Sequence, residues 1–124
     1  MAILDVKDDL HSYLRGARET LLWKLDGLGE YDIRRPGTPT GTNLLGLVKH
    51  STATHLGYFG EVFGRLADPP QERFSGDAGP AAEFWARPDE SSQDIVTSYR
   101  EAWDLSDATI TELPLDALGR AWWW

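Results

Sequence analysis

The stretch NLLGLVKHSTATHLGYFGEVFG, Asn43 to Gly64, constrains the fold of this chain more than any other. Its larger residues recur at helical steps: Leu45, Val48, Thr52, Leu56, Phe59, Phe63 and then Leu66 make one stripe. A second face carries Gly46, His50, Ala53, Gly57, Gly60 and Gly64, within roughly one quadrant at about 100° per residue. Glycine costs a helix about 1 kcal/mol against alanine. A helix that keeps several on one face therefore needs close backbone approach or room for a ligand there. The pattern predicts a central helix over about 43–66. It nominates His50 as a metal ligand or base, and Gly46, Ala53, Gly57 and Gly60 as a groove for substrate or cofactor. The competing reading makes His50 a core or boundary histidine bonded to a neighbour.

The other histidines do not complete a site. His50 and His55 are five apart, about 140° around a helix, so they do not share one metal; ligand pairs on helices come at three or four. His55 falls near the large stripe and is expected to be packed or at the boundary. His11 sits among Asp8, Asp9 and Ser12 and is expected to be solvated.

Two further helices are predicted. In the first, over about 5–28, Leu10, Leu14, Ala17, Leu21, Leu25 and Leu28 form the stripe, with Arg15, Arg18, Glu19 and Asp26 off it. Gly27 and Gly29 end it. EYDIRRPGTPTGT reads as a loop, after which Thr42 or Asn43 can cap the central helix. The last helix, over about 91–113, opens on Ser91 with Asp94 three residues on. It buries Ile95, Tyr99, Ala102, Trp103, Ser106, Ile110 and Leu113, and stops at Pro114. Between them, Ala67 to Glu90 contains Pro69, Pro70, Pro80 and Pro88 and forms a long connection, with a short helical turn expected at 81–86; Phe74, Phe84 and Trp85 indicate that it packs down. The paired acids Asp8-Asp9 and Asp89-Glu90 read as helix N-terminal charges. Trp122, Trp123 and Trp124 either pack back on the bundle, meet a partner or mark a chain cut before its next element.

A length of 124 residues fits one all-α domain over 1–124. The net charge of −8 repels phosphate backbones, so nucleic acid is not an expected partner. With no basic cluster and no long apolar run, no membrane partner is expected either. The absence of cysteine excludes disulfides, thiolate metal sites and a cysteine nucleophile. The charged N-terminus does not read as a signal peptide, and the expected location is the cytoplasm. There is no P-loop and no nucleophile elbow.

LLWKLDGLGEYDIRRPGTPTGTNLLGLVKH, LGYFGEVFGR, WARPDESSQDIVTSYREAWDLSDATI and LPLDALGRAWWW together resemble the DinB/YfiT-like superfamily, in its actinobacterial mini-circle branch. The resemblance covers nearly the whole chain. It implies a DinB-like up-down helical bundle with a long crossover between the second and third helices. It also implies a divalent metal, nickel or zinc, held by three histidines. One matches His50; the other two are a pair on a fourth helix, which this chain, ending at Trp124, lacks. Some members resemble thiol S-transferases that use mycothiol or bacillithiol. Two functions follow as expectations. One is a metal-dependent transfer of a low-molecular-weight thiol to an electrophilic substrate. The other is a non-catalytic helical module, or truncated member, that covers its open face by self-association, such as a homodimer.

Overall fold

A computed structural model describes residues 5–67 and 84–121. The described residues are helical and contain no strand, in keeping with the all-α bundle expected. The helices are α1 (Val6–Trp23), α2 (Glu30–Arg34), α3 (Leu44–Tyr58) and α4 (Ser92–Glu112), with a 3₁₀ turn at Glu61–Phe63. The turn expected at 81–86, along with Phe74 and the tryptophans 122–124, lies wholly or largely outside the described residues.

Each long helix begins on a side-chain cap. Asp5 accepts from the backbone N–H groups of Lys7 and Asp8, and Asp8 and Asp9 occupy the first turn of α1. Asn43 accepts from Gly46 N at 2.7 Å, and Ser91 from Asp94 N at 3.3 Å. These side chains satisfy donors that the first turn of a helix leaves unpaired.

Two helices are shorter than their sequence pattern. α1 stops at Trp23 and tightens into a turn, with Leu25 N bonding Leu22 O and Asp26 N bonding Trp23 O. α3 stops at Tyr58. A Cβ at Gly60 would collide with the Leu56 carbonyl and lie 2.7 Å from the Arg65 carbonyl. The chain folds back on itself there, with Arg65 N bonding Gly60 O at 2.9 Å. The glycine permits a reversal where helical spacing predicts two more turns. Leu66, expected in the buried stripe, is therefore 70% exposed. EYDIRR forms α2 rather than loop, and its Ile33 is buried in the core.

α3 and α4 make the closest helix pair. His55 meets Tyr99 and Gly60 meets Leu105, so the two helices run in the same direction. The core joins Ile33, Leu45, Val48, Ala86, Ile95 and Tyr99; Leu21, Leu22, Leu25 and Trp103 pack against it. Burying such side chains is worth about 1.5–3 kcal/mol each.

The docking face of α1 differs from the expected stripe. Leu10 is 54% exposed, whereas His11 and Arg18, expected off the stripe, are buried. The face that docks is Lys7, His11, Leu14, Arg18, Leu22 and Leu25, again at steps of three and four. Lys7 Nζ donates to the carbonyls of Leu113 (2.7 Å) and Thr111 (3.3 Å), capping the C-terminus of α4. α1 thus lies antiparallel to α4. Val6, Leu10 and Tyr13 are left facing outward.

Candidate functional site

His50 lies on α3, half-buried, with its ring stacked on Phe84 at 4.1 Å between centroids and 23° between planes. The segment bearing Phe84 is held against α3 from several sides. Asn43, 1% exposed, is its main anchor. Its Oδ1 accepts from Ala86 N at 3.0 Å as well as from Gly46 N, and its Nδ2 donates to the carbonyls of Ala86 (3.2 Å) and Arg34 (3.0 Å). Arg34 donates to the carbonyls of Arg87 (2.8 Å) and Glu90 (2.6 Å). Lys49 donates to the Trp85 carbonyl at 2.9 Å and pairs with Glu90 at 2.8 Å. Asp89 and Glu90, expected as helix N-terminal charges, precede the Ser91 cap and instead pair with Arg87, and Glu90 also with Lys49.

The small face of α3 serves this packing. A Cβ at Gly46 would coincide with the Phe84 carbonyl and lie 2.6 Å from Trp85 N. The space beside Gly46 is therefore taken by backbone, and that beside Gly60 by the chain reversal and Leu105. Gly57 is buried and Ala53 half-buried. A separate hollow of about 590 Å³ lies at the other end of α3, lined by Val62, Phe63, Arg65, Leu113, Leu118 and Arg120 among others; it includes none of the residues nominated from sequence.

A second polar cluster ties α1 to α3 and α4. Arg18 is 2% exposed. Its Nε donates to His55 Nε2 at 3.0 Å and its Nη1 to Asp107 Oδ1 at 2.6 Å. His11 Nε2 lies 2.7 Å from the same carboxylate oxygen, and Arg15 Nη2 lies 3.2 Å from His11 Nδ1. His55 Nδ1 meets the Ser51 carbonyl at 2.7 Å. The expectation for His55 as a packed residue agrees with this arrangement, whereas His11, expected to be solvated, is buried and hydrogen-bonded to Asp107. Its charged neighbours in sequence point outward while Asp107, distant in sequence, faces its ring. Among the described residues, Arg18 Nη2 and the Trp103 indole N–H have no hydrogen-bond partner. The guanidinium carbon lies 5.8 Å from the Trp103 ring centre, and the Trp103 ring meets Tyr99 edge-on with centroids 5.1 Å apart.

Burial shifts the titrating groups of this cluster. It lowers the His55 pKa below the usual 6.5, and the nearby Arg18 charge adds to that, against the opposing effect of the Ser51 carbonyl and Asp107. It raises the Tyr99 phenol above its usual 10.0. At Asp107 burial works against the charge, but hydrogen bonds from Arg18 and His11 outweigh it and hold the carboxyl below 3.8.

These residues do not fit the three-histidine metal set that the resemblance implies. Among the described residues no three His, Cys, Asp or Glu side chains converge. Both ring nitrogens of His11 and of His55 are engaged elsewhere. His50 alone is a poor site, since catalytic zinc ordinarily takes three protein ligands.

Asn43 was legible only as a helix cap, and the Lys49–Glu90 and Arg18–Asp107 pairs carry no local sequence signal. No helix among the described residues is long and apolar enough to cross a membrane. No curated protein and no solved structure matches the chain. The sequence model of the mycothiol-S-transferase family matches residues 9–124, nearly the full length, and the chain therefore belongs to that family, within the DinB/YfiT-like superfamily.

Proposed function

We propose that this chain takes part in transfer of a mycothiol-type thiol to an electrophilic small molecule. The family match over residues 9–124 supports the reaction class, and the stacking of His50 on Phe84 supports the residue assignment. His50 is the histidine that stays outside the buried α1 cluster, and imidazole is a common general base. In this reading His50 accepts the proton of the thiol. The thiolate then attacks the electrophilic carbon, forming a carbon–sulfur bond as the leaving group departs with its electron pair. The neighbouring Phe84 ring supplies an apolar wall, and Lys49 and Glu90 fix the segment that carries it. No step is assigned to a metal, because the donor set among the described residues does not fit one.

The test follows formation of the bimane conjugate from mycothiol and monobromobimane by mass spectrometry, with and without added nickel or zinc. Rate above the uncatalysed background that falls at least a hundredfold in His50→Ala, with helicity unchanged, is the expected result. A rate equal to background under every condition refutes the transferase reading. A second reading, self-association as a helical module, rests on the outward face of α1, where Val6, Leu10 and Tyr13 are 58%, 54% and 74% exposed. Light scattering over a hundredfold concentration range tests it: mass rising with concentration supports it, and a constant monomer mass removes it.

A further inference from the structure

We infer that the junction of His55, Arg18 and Asp107 is an acid-sensitive latch on α1: protonation of His55 breaks the bond by which that helix reaches α3 and loosens its N-terminal part, which is then held by its bonds to α4 alone. The hydrogen bonds dictate a neutral ring. The Ser51 carbonyl can only accept, so His55 Nδ1 carries the proton. Arg18 Nε–H can only donate, so His55 Nε2 must present its lone pair. A second proton would set N–H against N–H and one cation against another at 3.0 Å.

The groups around the ring do not relieve that conflict. From α1 it faces Arg18. From α4 it faces the Tyr99 ring, edge-on with centroids 5.6 Å apart, and Asp107 beyond the guanidinium. Asp107 Oδ1 already accepts from both Arg18 and His11, and Arg15 closes the far side of His11. On α3 itself the neighbours are Ser51 and the Phe59 ring. Burial of the ring, which disfavours its cationic form, acts in the same direction.

α1 is also the element such a conflict would move. Its apolar contacts with the core come from Leu21, Leu22 and Leu25, towards its C-terminal end and beyond. The half before them is held chiefly by Lys7, His11 and Arg18, through polar contacts. Removing the Arg18 bond to His55 unfastens the only one of these that reaches α3 among the hydrogen bonds described.

Hydrogen exchange on the full chain, followed by mass spectrometry at pH 7.5 and 5.5 and corrected for intrinsic rates, tests the latch. Asp107 is held below 3.8 by its hydrogen bonds and stays ionised at pH 5.5, so it is not the group changing. A released imidazole titrates near 6.5, so one unit below that value increases opening by at most about tenfold. The expected result is a several-fold loss of protection in 6–18, up to about tenfold, with α3 and α4 unchanged. His55→Gln offers Arg18 an acceptor without a titrating ring and should give equal protection at both pH values; His11→Gln should keep the response. Unchanged α1 protection in the wild type, a drop retained in His55→Gln or lost in His11→Gln, or equal loss in all helices overturns the proposal. If His55→Gln does not fold, NMR titration of the wild-type His55 ring decides. Its midpoint must coincide with that of α1 exposure, and separate midpoints overturn the latch.

Discussion

Replacing Asn43 with alanine should destabilise the protein by about 3–5 kcal/mol, a large share of a typical 5–15 kcal/mol total. The side chain makes four hydrogen bonds, to Gly46 N, Ala86 N, Ala86 O and Arg34 O. Loss of the helix cap accounts for about 1 kcal/mol. The peptide groups of Ala86 are then left unpaired beside a residue 2% exposed, at about 1–3 kcal/mol for each buried orphan. Relaxation of the 84–86 segment towards water offsets part of this, which sets the range. Urea unfolding followed by far-UV circular dichroism measures the loss. Asn43→Ser restores an acceptor for the first turn of α3 but does not reach Ala86, so it should recover about 1 kcal/mol only. If Asn43→Ala costs under 1 kcal/mol, or Asn43→Ser recovers the whole loss, then Asn43 is merely a cap and the anchoring argument fails. The functional consequence is also measurable. With the anchor gone, Phe84 leaves the His50 ring, and the ring-current shift on the His50 protons disappears in the NMR spectrum.

Gly46→Ala should cost about 1–3 kcal/mol, as overpacking does, because the new methyl must displace the Phe84 carbonyl; a neutral effect in urea unfolding would refute the close approach. Arg18→Met should cost about 2–3 kcal/mol. Breaking a buried ion pair costs about 3–5 kcal/mol, but Asp107 is 35% exposed and regains water; a thermal unfolding shift near zero would contradict the clasp. Stability should fall on acidification in two windows. The native-state pKa of His55 lies below its usual 6.5, so the unfolded chain binds the proton first and stability declines as pH falls below about 6.5. Asp107 adds a further decline below 3.8, where its native ion pairs are progressively lost. Urea midpoints from pH 8 to 3 report both, and Asp107→Asn should shrink the lower decline, to which Glu30 and Asp89 also contribute.

Helical periodicity determined the three long helices, the cap at Ser91, the stop at Pro114 and most of the buried face of α4, and it narrowed the cap of α3 to Thr42 or Asn43, because these follow from local spacing and local bonding. The family resemblance was legible from motifs spread along the chain. Tertiary structure decided the rest. Helical spacing does not register that Gly60 lets the chain reverse, because the reversal depends on Arg65 and Leu105 arriving beside it. A stripe drawn only through apolar residues misplaces the docking face of α1, since His11 and Arg18 are buried by virtue of an aspartate and a histidine on other helices. The small face of α3 signalled close contact correctly in kind, but whether ligand or backbone fills it depends on the course of the chain. At Gly46 that course brings Phe84 and Trp85, because the buried amide of Asn43 bonds the 84–86 segment to the start of the helix.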